Sequence, residues 1–193
     1  MSKVLYVASE CFGPQHDGWR KFIEWSGLTQ LKEVVGLDSS LCASVIGSLV
    51  DEDWSYNDHP DQFYFGDFFT DLNYLLRRQK TTTGIQILAV LKEPTVEPFA
   101  HFEDEQFDFC GYELIEDETR TSALTNCGGF PESFNNAELS DLGLLTKLDR
   151  AKTIQKLLKT NNPEEPHADC SLWAIWRMRD NNKLFRTATP PKN

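Results

Sequence analysis

The run GIQILAVL, Gly84 to Leu91, constrains the fold most: six of its eight residues are apolar and no charge interrupts it. An apolar stretch that short, rich in aliphatic side chains and bounded by turn formers, is read as a buried strand. Thr81-Thr82-Thr83 leads into it and Lys92-Glu93-Pro94 leads out. A buried strand needs a sheet around it, and other segments supply candidates. Val4 to Ala8 is a short apolar start. Alternation around Phe109, Tyr112, Leu114 and Ile115 predicts a strand over Asp108 to Glu116. SALTNCGGF, Ser122 to Phe130, reads as a short strand entering a glycine-rich loop, and ADCSLWAIWRM is a late strand with Trp173 and Trp176 on opposite faces.

Helical periodicity lies between these strands. DRAKTIQKLLKT, Asp149 to Thr160, carries Ala151, Ile154, Leu157 and Leu158 on one face and Lys152, Gln155, Lys156 and Lys159 largely on the other. Phe65, Phe68, Phe69, Leu72, Leu75 and Leu76 predict a helix over Phe63 to Arg78. Trp19 to Leu37 has an interrupted helical face divided at Ser26-Gly27, and Asp38 to Val50 fits either a short helix or a loop. Asn135 or Asn136 followed by Glu138 starts a short helix that Asp141-Leu142-Gly143 stops. The expected fold is α+β: a single mixed domain over 1–188, with a central, mostly antiparallel sheet and packing helices, followed by a flexible tail at 189–193. An α/β arrangement is the alternative, and Pro94 or Pro98 is a candidate junction between lobes.

The chain has 193 residues, of which 40% are apolar, enough for a substantial core. Nineteen basic against thirty acidic side chains leave a formal charge of −11. A nucleic-acid backbone would be repelled, so direct nucleic-acid binding is not expected. No run approaches the length of a membrane span, and five cysteines, an odd number without CxxC spacing, favour free thiols in a cytoplasmic setting.

The acids are unevenly placed. Glu93 to Glu118 holds ten of them and no Lys or Arg, interleaved with Phe99, Phe102, Phe107, Phe109 and Tyr112; Asp51 to Asp71 holds seven with its own aromatics. The bland account puts the acids in water and the aromatics in the core. The sharper account is a face for a basic protein, with Asp104, Glu105 and Asp108 attracting it and Phe102, Phe107 and Tyr112 supplying desolvated contacts. Asp51, Asp53 and Trp54 form an alternative face. On this reading the chain is a small intracellular acidic binding module, of the kind that an immunity or inhibitor protein uses to mask a basic surface. A structural protein of the same physical class is an alternative.

A cysteine-dependent hydrolase or transferase is the other alternative. Cys127 in Thr125-Asn126-Cys127-Gly128-Gly129-Phe130 would be the nucleophile on a sharply turned loop, with His167 as base and Asp169 orienting it. Cys110, Cys127, His167 and Cys170 have the chemistry of metal ligands, but His167-x-x-Cys170 is only a local pair, and no metal is expected. Glu103 with Asp108 is a generic carboxylate pair. The glycine-rich loop lacks the Lys and Ser/Thr of a phosphate-binding loop, and no dinucleotide fingerprint is present, so no cofactor is expected.

Overall fold

The computed structural model describes residues 3–16, 18–38, 40–41, 44–45, 62–63, 68–79, 84–98, 102–116, 120–125 and 132–179. Among them the strands are β1 (Leu5–Glu10), β2 (Ser40–Leu41), β3 (Ser44–Val45), β4 (Gln62–Phe63), β5 (Phe68–Phe69), β6 (Ile85–Lys92), β7 (Phe107–Glu116) and β8 (Cys170–Met178). The α-helices are α1 (Trp19–Ser26), α2 (Leu72–Arg78) and α3 (Leu148–Asn161). Six strands form one sheet in the order β4-β5-β1-β6-β8-β7, and β2 pairs with β3 as a separate ribbon. Every pairing is antiparallel. The fold is α+β, as the apolar runs predict.

The GIQILAVL run is central because it is buried on both sides. Leu88 lies between Val7 of β1 and Arg177 of β8. Ile87, Ala89 and Leu91 enter the larger core with Phe69, Leu114, Leu172 and Trp176, and there they meet Leu75 and Leu76 of α2 and Ala151, Ile154 and Leu158 of α3. Leu88 and Val90 enter a smaller core with Val7, Phe68, Trp173 and Ile175 on the opposite face. Burying each large aliphatic side chain contributes about 1.5–3 kcal/mol, so the seam between α3 and the sheet is a principal source of stability. Trp173 and Trp176 do lie on opposite faces: Trp173 stacks on Phe68 at 5.4 Å, and Trp176 joins the larger core.

The local signals at Gly27 and Asn135 hold. Gly27 ends α1 at φ 69°, its N–H donating to the Ile23 carbonyl. Asn135 caps a single 3₁₀ turn, Asn136–Glu138, with a reciprocal capping box. The helix expected over Phe63 to Arg78 is shorter than its periodicity suggests. It begins at Leu72, where the Asp71 carboxylate accepts from the Tyr74 N–H at 3.1 Å. Upstream, Phe68–Phe69 is a strand, because Phe69 pairs with Tyr6 of β1 and extends the sheet. Aromatic pairs suit a strand as well as a helix, and the tertiary partner decides. In the 38–50 segment, Ser40–Leu41 and Ser44–Val45 pair as strands, where a short helix or loop was expected. The strand expected from Ser122 is a single bridge, Ser122 to Ile115: Ala123 to Thr125 form a turn in which the Leu124 and Thr125 N–H groups donate to the Ser122 hydroxyl, and residues 126–130 lie outside the described residues.

The smaller core is covered by a strap, residues 33–38, held by a series of single bonds. The Val34 N–H donates to the Phe12 carbonyl at 2.7 Å and the Val35 N–H to the Leu142 carbonyl at 3.0 Å. Ser9 Oγ on β1 donates to the Gly36 carbonyl at 2.8 Å. A bulge in β7 between Phe109 and Gly111 gives access to a second crossing chain. At Gly111, φ is 146°, and an added Cβ would stand 2.6 Å from the Leu145 carbonyl oxygen, so only glycine lets residues 144–145 approach β7 this closely. No helix among the described residues is long and apolar enough to cross a membrane.

Candidate functional site

The acidic-aromatic stretch folds into a corner where the turn before β7, β1 and the start of α2 converge. Its turn is built from Asp104. The Asp104 carbonyl accepts from the Phe107 N–H at 2.9 Å, and its carboxylate accepts from the Gln106 N–H at 2.8 Å. The Phe102 N–H donates back to the Pro98 carbonyl at 3.1 Å. This geometry turns Phe102 and Phe107 inward and leaves Glu103 and Glu105 exposed.

Two of the three aromatic anchors expected of a binding face are core residues. Phe107 is 5% exposed and Tyr112 0%. Five residues apart, they would face opposite sides under plain alternation, but the bulge between Phe109 and Gly111 shifts the phase of β7 and directs both into the larger core, so neither presents a surface to a partner. Phe102 is half-buried, packed edge-on against Phe107 at 5.5 Å and Trp176 at 5.2 Å. Two residues absent from the sequence-based face complete the rim. Phe109 is half-buried against Trp176 at 5.4 Å, and Tyr6 of β1 lies 6.5 Å from Phe102. Burial raises the Tyr6 hydroxyl above its ordinary value, and the carboxylates of Asp104 and Asp71 add to that, which puts both acids close to the ring's polar end. Phe109 was legible from its own acidic run. Tyr6 and Asp71 lie far away in sequence and arrive only through the pairing of β1 with β5.

The expected acids have different degrees of freedom. Glu105 is exposed; Asp104 is half-buried in its turn; Asp108 is exposed and paired with Arg179 at 2.8 Å. Behind the corner, the Tyr112 hydroxyl donates to Glu97 at 3.1 Å, and burial followed by that carboxylate pushes its proton affinity up. The alternative face of Asp51, Asp53 and Trp54 lies outside the described residues.

Cys127 and its glycine loop also lie outside the described residues. Its proposed partners occupy different environments. His167 is 7% exposed in a 3₁₀ turn, and burial lowers its proton affinity. The Asp169 carboxylate is at the surface, bound to Lys159 Nζ at 2.8 Å. Among the other thiols, burial pushes Cys11 and Cys110 up to about 11, which keeps both protonated and weakly nucleophilic at neutral pH. Cys170 is buried in the larger core. No group of three or more metal-ligating side chains occurs among the described residues.

A second acidic grouping lies under the strap. Glu113, on β7, is 1% exposed, and Asp38, at the end of the strap, is 6% exposed. Glu113 Oε2 accepts from the Leu37 N–H at 2.7 Å, while Asp38 Oδ2 accepts from the Ser122 N–H at 3.0 Å. The hydrogen bonds cross between the elements, each carboxylate satisfying a backbone N–H beside or beyond the other. Burial, reinforced by the Asp38 charge, pushes the Glu113 carboxyl up to about 8, against the opposing pull of the Leu37 N–H, the Ser122 hydroxyl and Arg120. The sequence hint was one charged residue inside an otherwise apolar alternation; its partner, Asp38, had no such signal. No protein-family model, curated protein or solved structure matches the chain.

Proposed function

We propose that the protein is an acidic protein-binding module whose corner, Tyr6, Phe102 and Phe109 with Glu103, Asp104, Glu105 and Asp108, receives a basic partner surface. Masking such a surface is the action of an immunity or inhibitor protein. The observation that carries this reading is the exposure of Glu103, Glu105 and Asp108 beside half-buried aromatic rings in a chain of charge −11. The acids attract a basic surface at long range and favour fast encounter. The rings offer lysine or arginine side chains a flat, partly apolar seat.

The test is capture from native lysate at low and moderate ionic strength, followed by calorimetric titration of the purified captured protein. Asp104→Asn, Glu105→Gln and Asp108→Asn combined keep the turn acceptor at position 104 while removing three charges. Binding should weaken by about five- to thirtyfold, from roughly 1–2 kcal/mol of lost surface attraction, and its salt dependence should flatten. An affinity that does not change on neutralising the corner rejects it as the interface.

A further inference from the structure

The Glu113–Asp38 pair joins two elements that are otherwise connected by isolated hydrogen bonds, by the Glu33–Arg177 ion pair at 2.7 Å and by the packing of Val34, Val35 and Leu37. Glu113 belongs to the sheet, and Asp38 belongs to the strap that covers the smaller core. Gly36 makes the contact sterically feasible: a Cβ there would stand 2.6 Å from Glu113 Oε2. The Glu113 carboxyl therefore occupies the space a side chain on the strap would fill. Among the described residues, the charged groups bearing on it are Asp38 from the strap and Arg120, which follows β7 in the chain. The Ser122 hydroxyl donates to it, and Trp173 is its cross-strand neighbour on β8.

We propose that Glu113 and Asp38 form a proton-operated latch, which holds the strap of residues 33–38 on the sheet while Glu113 is protonated and loosens it when Glu113 ionises. An ionised Glu113 would be a buried charge facing a second carboxylate. Lifting the strap relieves both penalties by admitting water and moving Asp38 away. The hydrogen bonds and the Arg120 charge favour the ionised form, but burial outweighs them.

The sign follows from linkage. The proton affinity of Glu113 is higher with the strap closed than with it open, where an ordinary glutamate value applies. Closure is therefore fully favoured below the ordinary value of 4.5 and loses that advantage progressively until pH reaches about 8. Between pH 5.5 and 7.5, opening should become easier by up to about tenfold per pH unit.

Amide hydrogen exchange of Leu37 and Ser122, corrected for intrinsic rates, reads the latch directly. The expected result is protection that falls by up to about tenfold per pH unit across that range in the wild type and stays level in Glu113→Gln. Leu37 should also exchange faster than Leu88 of β6 at every pH. A pH-independent Leu37 amide overturns the latch, and so does a Leu37 amide that exchanges only as fast as Leu88, since release would then require global unfolding. Carbon-13 titration of the Glu113 carboxyl in the wild type keeps the test independent of whether Glu113→Gln folds. A midpoint near 8 that falls in Asp38→Asn supports the latch, and a midpoint in the ordinary glutamate range rejects it.

Discussion

Asp108 and Glu113 stand on the same strand, β7, and carry the same charged group in water, but their surroundings assign them opposite consequences. Asp108 lies at the exposed end, where its pairing with the half-exposed Arg179 is screened by solvent and contributes little to stability. Glu113 lies under the strap, where the same carboxylate is nearly water-free and opposes a second one. Net charge treats the two as equal. Burial leaves one a solvated charge at the rim of the corner and makes the other an internal constraint on the fold.

The comparison is tested most severely where the exposed corner rests on its core. Trp176, 2% exposed, supports Phe102 and Phe109 from beneath. Trp176→Ala should lower stability by about 3–5 kcal/mol, measured by urea unfolding. A loss below about 1 kcal/mol would mean that the corner is not anchored in the core.

Gly36→Ala has the next largest expected effect. The added methyl group meets the Glu113 carboxyl, which is buried and bonded to the Leu37 N–H, so stability should fall by about 1–3 kcal/mol. Thermal unfolding measures the loss, and protection of the Leu37 amide should fall before that of the β6 amides. An unaffected melting temperature would show that the strap has room to spare.

The smallest effect belongs to the rim. Glu105 is exposed on the turn before β7, so Glu105→Gln should leave stability within about 0.5 kcal/mol of wild type. Chemical denaturation of that variant sharpens the contrast with Glu113→Gln, whose pH dependence should change. If Glu105→Gln destabilised the protein substantially, the corner would have a structural role that its exposure does not suggest.

Much of the sheet was legible because its strands are coded locally. GIQILAVL becomes β6, the alternation after Asp108 becomes β7, the ADCSLWAIWRM run becomes β8, and the amphipathic run from Asp149 lies within α3. Each element's period lies within its own residues. The Phe63 to Arg78 helix was overextended because Phe68 and Phe69 satisfy a helical spacing equally well, and only Tyr6 of β1 selects the strand. The corner was half legible for a similar reason. Its acids and Phe102 belong to one run, but which rings point outward depends on the register of β7 against β8.

The sequence by itself determined the acidic balance, the α+β class and the principal strands and helix, because composition and hydrophobic period are local properties. Tertiary structure alone decided that Phe107 and Tyr112 face inward, that Tyr6 and Asp71 join Phe102, and that Asp38 meets Glu113. These outcomes depend on contacts between residues distant in the chain. What a carboxylate does depends on how much water and which charges those contacts leave around it.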